Sequence, residues 1–377
     1  MRLAVDATSL LGHQTGIGVF VRNLLTRLGQ RPGLDVRAFA ISMRGRTDLS
    51  ARVPEGVDAV RRGVPARLAR QLWLRTDHPD VRWLAGNVDV VHGPNYVVPP
   101  GGTAAEVVTV SDLSAIHFPE MCSPDVLQWP LLLRRALRRG AWVHTISHAV
   151  ADEVRSLHPE AAHRVVAIPL AVDRPPPPLP ATSGTRGRYL AGGDRYILSL
   201  GTAEPRKDLP GLVRAFDAVA ARDAEVRLVL AGPDGIGTDA LDDAVARSPH
   251  RRRIVRVGWV DDDGRLALLR GARVVAYPSR YEGFGLVPLE ALAAGTPVVS
   301  TTTGAIPEVL GDGGLLVPPG DIDALAGALE RVLTDEQLVS SLLRRGSVRV
   351  DAYSWSETVG GIVDVYRAAI ATKRSRT

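Results

Sequence analysis

The sequence predicts an α/β protein made of two doubly wound, parallel-sheet domains. Short continuous Val/Ile runs alternate with amphipathic helical segments, the pattern of a parallel sheet covered on both faces. That alternation stops once, at a proline-rich break, and then starts again. A chain of 377 residues, 45% hydrophobic and 23% charged, can build two cores at roughly 100–200 residues per domain.

The first half opens with a strand at Arg2 to Ala7, a loop of small residues, and a helix from about Ile17 to Leu28. Strand runs follow at 35–41, 88–91, 106–110, 141–146 and 164–168, with helical segments at 124–139 and 148–157. Four consecutive prolines near 175–178 can continue neither a helix nor a central strand, so 173–195 reads as a linker. Strand runs at 196–200, 226–231, 253–257, 273–277 and 297–300 then alternate with helices. Helical patterns at 321–346 and 355–371 finish the chain. The expected division is therefore 1–172, linker 173–195, 196–352, and a closing helical segment 353–377. Doubly wound sheets bind ligands beyond their strand carboxyl ends, here expected to face a cleft.

Composition excludes several classes. The single cysteine, Cys122, rules out a disulfide framework or a cysteine-built metal site. No run of 18 apolar residues offers a spanning helix, and Asp6 interrupts the start where a signal peptide would stay apolar. A cytoplasmic chain is expected. The net charge of +5 is too small to indicate nucleic acid, and it is unevenly placed. Residues 1–172 carry 20 Arg against 15 acids, whereas 173–377 carry 26 basic against 26 acidic residues. An anionic surface or acceptor would thus meet the first half. Of the 46 basic residues only Lys207 and Lys373 are lysines, which draws attention to both.

Residues 277–300 carry the strongest chemical signal. A strand runs into a loop holding Glu282-Gly283-Phe284-Gly285-Leu286, and a helix is expected to begin at Pro288 with Glu290 in its first turn. Glycines ahead of a helix start let backbone amides approach an anion. Two carboxylates around an anion-binding turn suit a ligand with phosphates between two polyols, such as a nucleotide-sugar. A merely capped helix is the bland alternative. At 200–208, Arg206 and Lys207 follow a strand, and Asp208 suits a helix N-cap. A guanidinium fork beside a compact ammonium suits a diphosphate, though such loop pairs are commonly only solvated. Thr15-Gly16-Ile17-Gly18 is no dinucleotide fingerprint, because Val21 occupies its third small position.

The run Glu282 to Glu290 is an E-x7-E motif, and it resembles the retaining glycosyltransferases of family 4, which have the GT-B fold. The resemblance extends to Asp6-Ala7-Thr8 with Gly16 and Gly18, to Arg206-Lys207, and to Gly258-Trp259-Val260. It implies that Glu282 contacts donor-sugar hydroxyls, Glu290 the nucleotide ribose, and the amides around Phe284, Gly285 and Leu286 the sugar and phosphate. It implies that Arg206 and Lys207 hold the diphosphate, and that Gly16 and Gly18 close over the donor phosphates. It also implies that the closing helix folds back onto the first domain. No cofactor is implied beyond the nucleotide-sugar co-substrate, with a hydroxyl acceptor and a donor most similar to GDP-mannose.

Many relatives place a histidine immediately before Asp112, where this chain has Ser111. Either Ser111 supplies the polar contact, or Asp112 or His117 takes the role, or catalysis is weakened. This leaves a non-catalytic sugar-nucleotide binder as one alternative and a nucleotide-sugar epimerase as another. The Asp261-Asp262-Asp263 and Asp321-Ile322-Asp323 runs contain D-x-D, but both open helices and are read as N-caps, so no catalytic metal is expected. Basic stretches mix arginines with apolar residues, Leu68, Leu72 and Trp73 among Arg61 to Arg75, and Leu131 to Leu133 before Arg134, Arg135, Arg138 and Arg139. They read as solvated helix faces, or as peripheral contact with an anionic membrane.

Overall fold

The computed structural model describes residues 1–12, 16–43, 48–177 and 185–375. The chain forms two compact units, Met1–Leu170 together with Trp355–Thr377, and Ala171–Ser354. The chain thus changes unit twice, at 170/171 and at 354/355.

The first unit holds seven parallel strands: β1 (Arg2–Asp6), β2 (Asp35–Phe39), β3 (Asp58–Ala59), β4 (Val90–Gly93), β5 (Ala105–Val110), β6 (Trp142–Thr145) and β7 (Val165–Ala167). Their order is β3-β2-β1-β4-β5-β6-β7. The second holds β8 (Tyr196–Leu200), β9 (Arg227–Ala231), β10 (Ile254–Gly258), β11 (Val274–Tyr277), β12 (Val298–Thr301) and β13 (Leu315–Val317), ordered β10-β9-β8-β11-β12-β13. Every residue of β5, β8, β11 and β12 is buried, as the continuous apolar runs require of central strands. At the edge, β10 is only partly buried and turns Arg256 outward. In each unit the chain reverses direction of growth beside its first strand, at β1/β4 and at β8/β11. The carboxyl ends of those strands are where doubly wound sheets gather their ligands.

The structure departs from the pattern reading in three ways. The short strands β3 and β13 carry too few residues to show a period. The single helical stretch 321–346 is two helices, Ile322–Thr334 and Glu336–Asp351, because Asp335 accepts a hydrogen bond from the Leu338 amide and starts a new helix. Within the stretch read as linker, Thr185–Ala191 is a helix. A Cβ on its Gly187 would stand 2.2 Å from the Ala267 carbonyl oxygen, so only glycine allows this close packing onto the helix Asp262–Gly271. Residues 178–184 of that stretch lie outside the described residues.

The closing helix, Trp355–Arg374, belongs to the first unit. Its buried Trp355, Val359, Ile362, Tyr366 and Ala369 repeat at helical spacing, and Thr358 Oγ1 donates to the Pro169 carbonyl at 2.7 Å. A buried polar chain ties it to the sheet. Tyr366 Oη lies 2.7 Å from His92 Nδ1, His92 Nε2 lies 2.8 Å from Thr109 Oγ1, Thr109 Oγ1 lies 2.9 Å from His144 Nδ1, and His144 Nε2 lies 2.9 Å from the Ile168 carbonyl. The carbonyl can only accept, so His144 Nε2 carries a proton and its Nδ1 accepts from Thr109. Thr109 must then accept from His92 Nε2, and His92 Nδ1 from Tyr366. One carbonyl fixes both tautomers and the direction of four hydrogen bonds. Burial depresses both histidines, His144 to about 4 and His92 well below its usual value, where the charge of His144 also opposes it.

Candidate active site

The β8/β11 switch point of the second unit brings two predicted segments together. After β8, Gly201 leads into a turn at Pro205–Lys207, and Asp208 starts the helix Leu209–Ala220 by accepting from the Gly211 amide at 3.2 Å. Asp208 does so at φ 46°, a strained conformation for a residue with a Cβ. Arg280 stitches the two loops together: its Nε lies 3.3 Å from the Asp208 carboxylate, and its amide donates to the Arg206 carbonyl at 2.7 Å.

Glu282 lies at the centre of the join and is buried. Its Oε1 accepts from Arg206 Nη1 at 2.8 Å, Lys207 Nζ at 2.5 Å and Ser279 Oγ at 2.9 Å. Burial alone would raise this carboxyl, but Lys207 and Arg206 together outweigh it and hold it at about 2. Lys207 is lowered to about 8, by burial first and by Arg206 second, against the opposing pull of Glu282. Its ammonium donates to the Tyr277 hydroxyl and lies 4.3 Å from that ring's centre. Arg206 is further held by Glu204 at 2.8 Å. The result is a dense cluster at a strand end, a buried Lys207 and a half-buried Arg206 around one carboxylate, suited to exchange for an anionic ligand.

Backbone geometry fixes Glu282 as firmly as its side-chain partners do. The Ala305 amide donates to the Glu282 carbonyl at 2.9 Å. Gly304 sits at φ 50°, where a Cβ would stand 2.1 Å from that same carbonyl oxygen. The helix after the loop begins at Leu286 rather than Pro288, with Gly285 as its N-cap at φ 105°. Pro288 is thus the third helical residue, still among the four whose amides have no intrahelical partner. Glu290 consequently lies in the second turn, not the first, and it pairs with Arg265. Phe284 is buried edge-on against Tyr353, 5.6 Å between ring centres.

The segments of the first unit take more structural parts. Asp6 is buried, with Oδ1 accepting from the Thr8 amide at 2.8 Å and the Thr8 hydroxyl at 2.5 Å, while Thr8 Oγ1 accepts from the Ile41 amide. Asp6-Ala7-Thr8 therefore ties the end of β1 to the end of β2, and burial raises Asp6 to about 6. Gly16 is exposed at the start of the helix Gly16–Gly29 and Gly18 is buried within it; Thr15 lies outside the described residues. Asp112 Oδ1 accepts from the Ser114 amide at 2.9 Å, turning the chain into the short helix Ser114–His117, and Ser111 is half-buried beside it. His117 pairs with Glu153 at 2.7 Å. The aspartates Asp261 and Asp321 accept from the Gly264 and Ala324 amides and cap their helices.

Tyr277, Ser279, Gly304 and Arg265 were missed as site residues. Tyr277 and Ser279 stood inside the 277–300 block, and a cation in the first turn of a helix opened by three aspartates was a signal for Arg265. Gly304 gave none, since its meaning is a contact with a residue 22 positions away.

Comparison with known proteins agrees with this architecture. The profile of the family described as "Glycosyl transferases group 1" matches residues 194–335, the span holding both site loops. O-antigen chain mannosyltransferase B of Escherichia coli is 31% identical over 307 residues, which cover 79% of this chain and 77% of that protein. Sucrose-phosphate synthase of Thermosynechococcus elongatus superposes with a TM-score of 0.75 at 20% identity, covering 98% and 99% of the two chains. HepE of Anabaena, in complex with UDP and glucose, superposes with a TM-score of 0.70 at 19% identity over 96% and 98%. The chain is a glycosyltransferase of the group 1 family, with the two Rossmann-like domains of the GT-B fold.

Proposed function

We propose that this glycosyltransferase moves a sugar, with mannose from GDP-mannose the leading donor, to a hydroxyl acceptor, retaining the anomeric configuration without a catalytic metal. The observation that carries the reading is the convergence of Arg206 and Lys207 on Glu282 at the β8/β11 switch point. A donor diphosphate would take over the two cations that Glu282 now neutralises. As the bond from the anomeric carbon to the diphosphate oxygen breaks, negative charge grows on that oxygen, and preorganised Arg206 and Lys207 lower the barrier. The acceptor hydroxyl attacks from the same face and passes its proton to the departing phosphate. Released from the cations, Glu282 accepts from the donor-sugar hydroxyls, Gly283, Phe284, Gly285 and Leu286 offer backbone amides, and Glu290 takes the ribose. The mannosyltransferase relative and the UDP- and glucose-bound neighbour support a nucleotide-sugar of this kind.

The test is a calorimetric panel of nucleotides and nucleotide-sugars, followed by transfer assays with and without a chelator. Binding by none would refute the reading. Binding with neither transfer nor hydrolysis, restored to transfer by Ser111→His, would favour a non-catalytic binder. Isomerisation of the donor without acceptor would favour an epimerase.

A second proposal concerns where the acceptor is met. Arg70 of the helix Ala66–Trp73 pairs with Asp125 at 3.0 Å, ahead of the helix Trp129–Arg139, and Arg135 of that second helix pairs with Asp77 at 3.0 Å, just after the first. These helices, with the turn Val126–Gln128 that precedes the second, expose Leu68, Leu72, Leu127 and Leu131 to solvent by 54, 37, 41 and 53%. Arg67, Arg75, Arg134 and Arg138 lie close to these leucines in sequence, are exposed, and have no ion-pair partner among the described residues. No described helix is long and apolar enough to cross a membrane. Exposed apolar side chains on segments that also carry unpaired cations suit the surface of an anionic bilayer. Cosedimentation with vesicles that is independent of their anionic lipid content would sink this proposal.

A further inference from the structure

Glu290 does not stand alone, and its partner is placed against local preference. Arg265 is the fourth residue of the helix Asp262–Gly271, where a cation opposes the positive end of the helix dipole. Its side chain is two-thirds covered, and its partner among the described residues is Glu290, whose Oε2 accepts a hydrogen bond from Arg265 Nη2. The two residues come from helices on either side of β11, so the pair forms only when that strand is in place. A glutamate on a helix surface has three rotatable bonds, and fixing one oxygen to a rigid guanidinium removes most of that freedom. Oε1 is then the oxygen left to accept from a ligand.

We infer that Arg265 is a positioning residue for nucleotide recognition: it aims Glu290 so that one carboxylate oxygen accepts a ribose hydroxyl, and it thereby sets the preference for ribonucleotide over 2′-deoxyribonucleotide donors. The inference rests on the reading of Glu290 as the ribose carboxylate and assigns to Arg265 the enforcement of that contact. A hydroxyl donating to a carboxylate is a charge-assisted bond, and its loss leaves a partly buried acceptor unpaired. A preference of about ten- to a hundredfold for the ribose form is expected from such a bond. Without Arg265 the carboxylate swings freely and turns toward water, and the preference collapses.

The experiment measures, by calorimetry on the full chain, the affinities of GDP, UDP, ADP and CDP. The tightest of these is then compared with its 2′-deoxy counterpart in wild type, Glu290→Gln, Arg265→Ala and Arg265→Lys. Expected is a preference of about tenfold or more in wild type, falling to within about threefold in Glu290→Gln and Arg265→Ala. The affinity for the deoxy form should change little, and Arg265→Lys should restore part of the preference. If Arg265→Ala does not fold, Arg265→Lys and Arg265→Gln carry the same comparison. A preference lost in Glu290→Gln but kept in the Arg265 variants overturns the inference and leaves the ribose reading standing. Equal weakening of both ligands by the Arg265 variants marks a merely structural role and also overturns it. A preference kept in Glu290→Gln, or binding by none of the four, overturns the ribose reading and the inference with it.

Discussion

Acid should loosen the first unit through His144. Its folded value is about 4 against about 6.5 unfolded, so the unfolded chain binds the extra proton first. A depressed histidine contributes stability that is fully present above the unfolded value and is lost as pH falls from about 6.5 to about 4. The gap corresponds to about 3 kcal/mol below pH 4, of which about 1.4 kcal/mol is already gone near pH 5.5. His92, depressed by burial and by His144, adds to the loss in the same window. Asp6 works the other way: raised from 3.8 to about 6, it gains its proton first in the folded state. That returns about 0.8 kcal/mol near pH 5.5, less than His144 alone removes. The perturbation is His144→Gln, whose amide can accept from Thr109 and donate to Ile168 without titrating. Urea unfolding followed by tryptophan fluorescence reads chiefly this unit, since Trp73, Trp83, Trp129, Trp142 and Trp355 lie in it and Trp259 alone outside. Between about pH 7.5 and 5.5, wild type should lose about 1.4 kcal/mol more than the variant. Parallel losses in the two proteins, or a folded-state His144 titration near the ordinary histidine value, would refute the directed hydrogen-bond chain.

Other outcomes follow from single contacts. Gly304→Ala places a methyl against the Glu282 carbonyl and should lower turnover roughly a hundredfold through displacement of the loop, with an unchanged circular dichroism spectrum. Because Lys207 sits at about 8 in the free enzyme and, in the proposed reaction, acts on the diphosphate in its charged form, kcat/KM should fall as pH rises through that value. Lys207→Arg should remove that alkaline limb, and a limb unchanged in the variant assigns it to another group. Glu106 is buried between Arg139, at 2.9 Å, and the Gly101 amide, and Arg139 also reaches Asp77 at 3.5 Å, so Glu106→Gln, which removes the charge but keeps an acceptor, should cost about 1.5–3 kcal/mol. Glu330→Gln, which breaks only the exposed pair with Arg222, should cost under about 1 kcal/mol, and the comparison of denaturation midpoints in urea checks both.

Much of this protein could be read from local pattern. The helix His148–Leu157 and the strand Tyr196–Leu200 fall where periodicity placed them, because a buried parallel strand and an amphipathic helix each carry their signal within ten residues. The aspartate caps at 208, 261 and 321 were equally local. The helix start before Glu290 was misplaced by two residues, since Pro288 tolerates any position in the first turn and the deciding feature, Gly285 at positive φ, looks in sequence like any glycine. The 173–195 stretch was read as linker throughout because prolines dominate it, while the glycine contact that seats its helix lies 80 residues away.

By itself, the sequence determined the fold class, the family, and the two charged segments around Lys207 and Glu282, because composition, hydrophobic period and the spacing of Glu282 and Glu290 are properties of consecutive residues. Tertiary structure alone decided what those residues touch. It put Arg206 and Lys207 on one oxygen of Glu282, Arg265 on Glu290, Gly304 against the loop backbone, and two histidines in a single directed chain from Tyr366 to Ile168. The reason is physical. A charge set by one residue's identity acquires its protonation, orientation and partner only from neighbours that the fold delivers from elsewhere in the chain, and burial then makes those neighbours decisive.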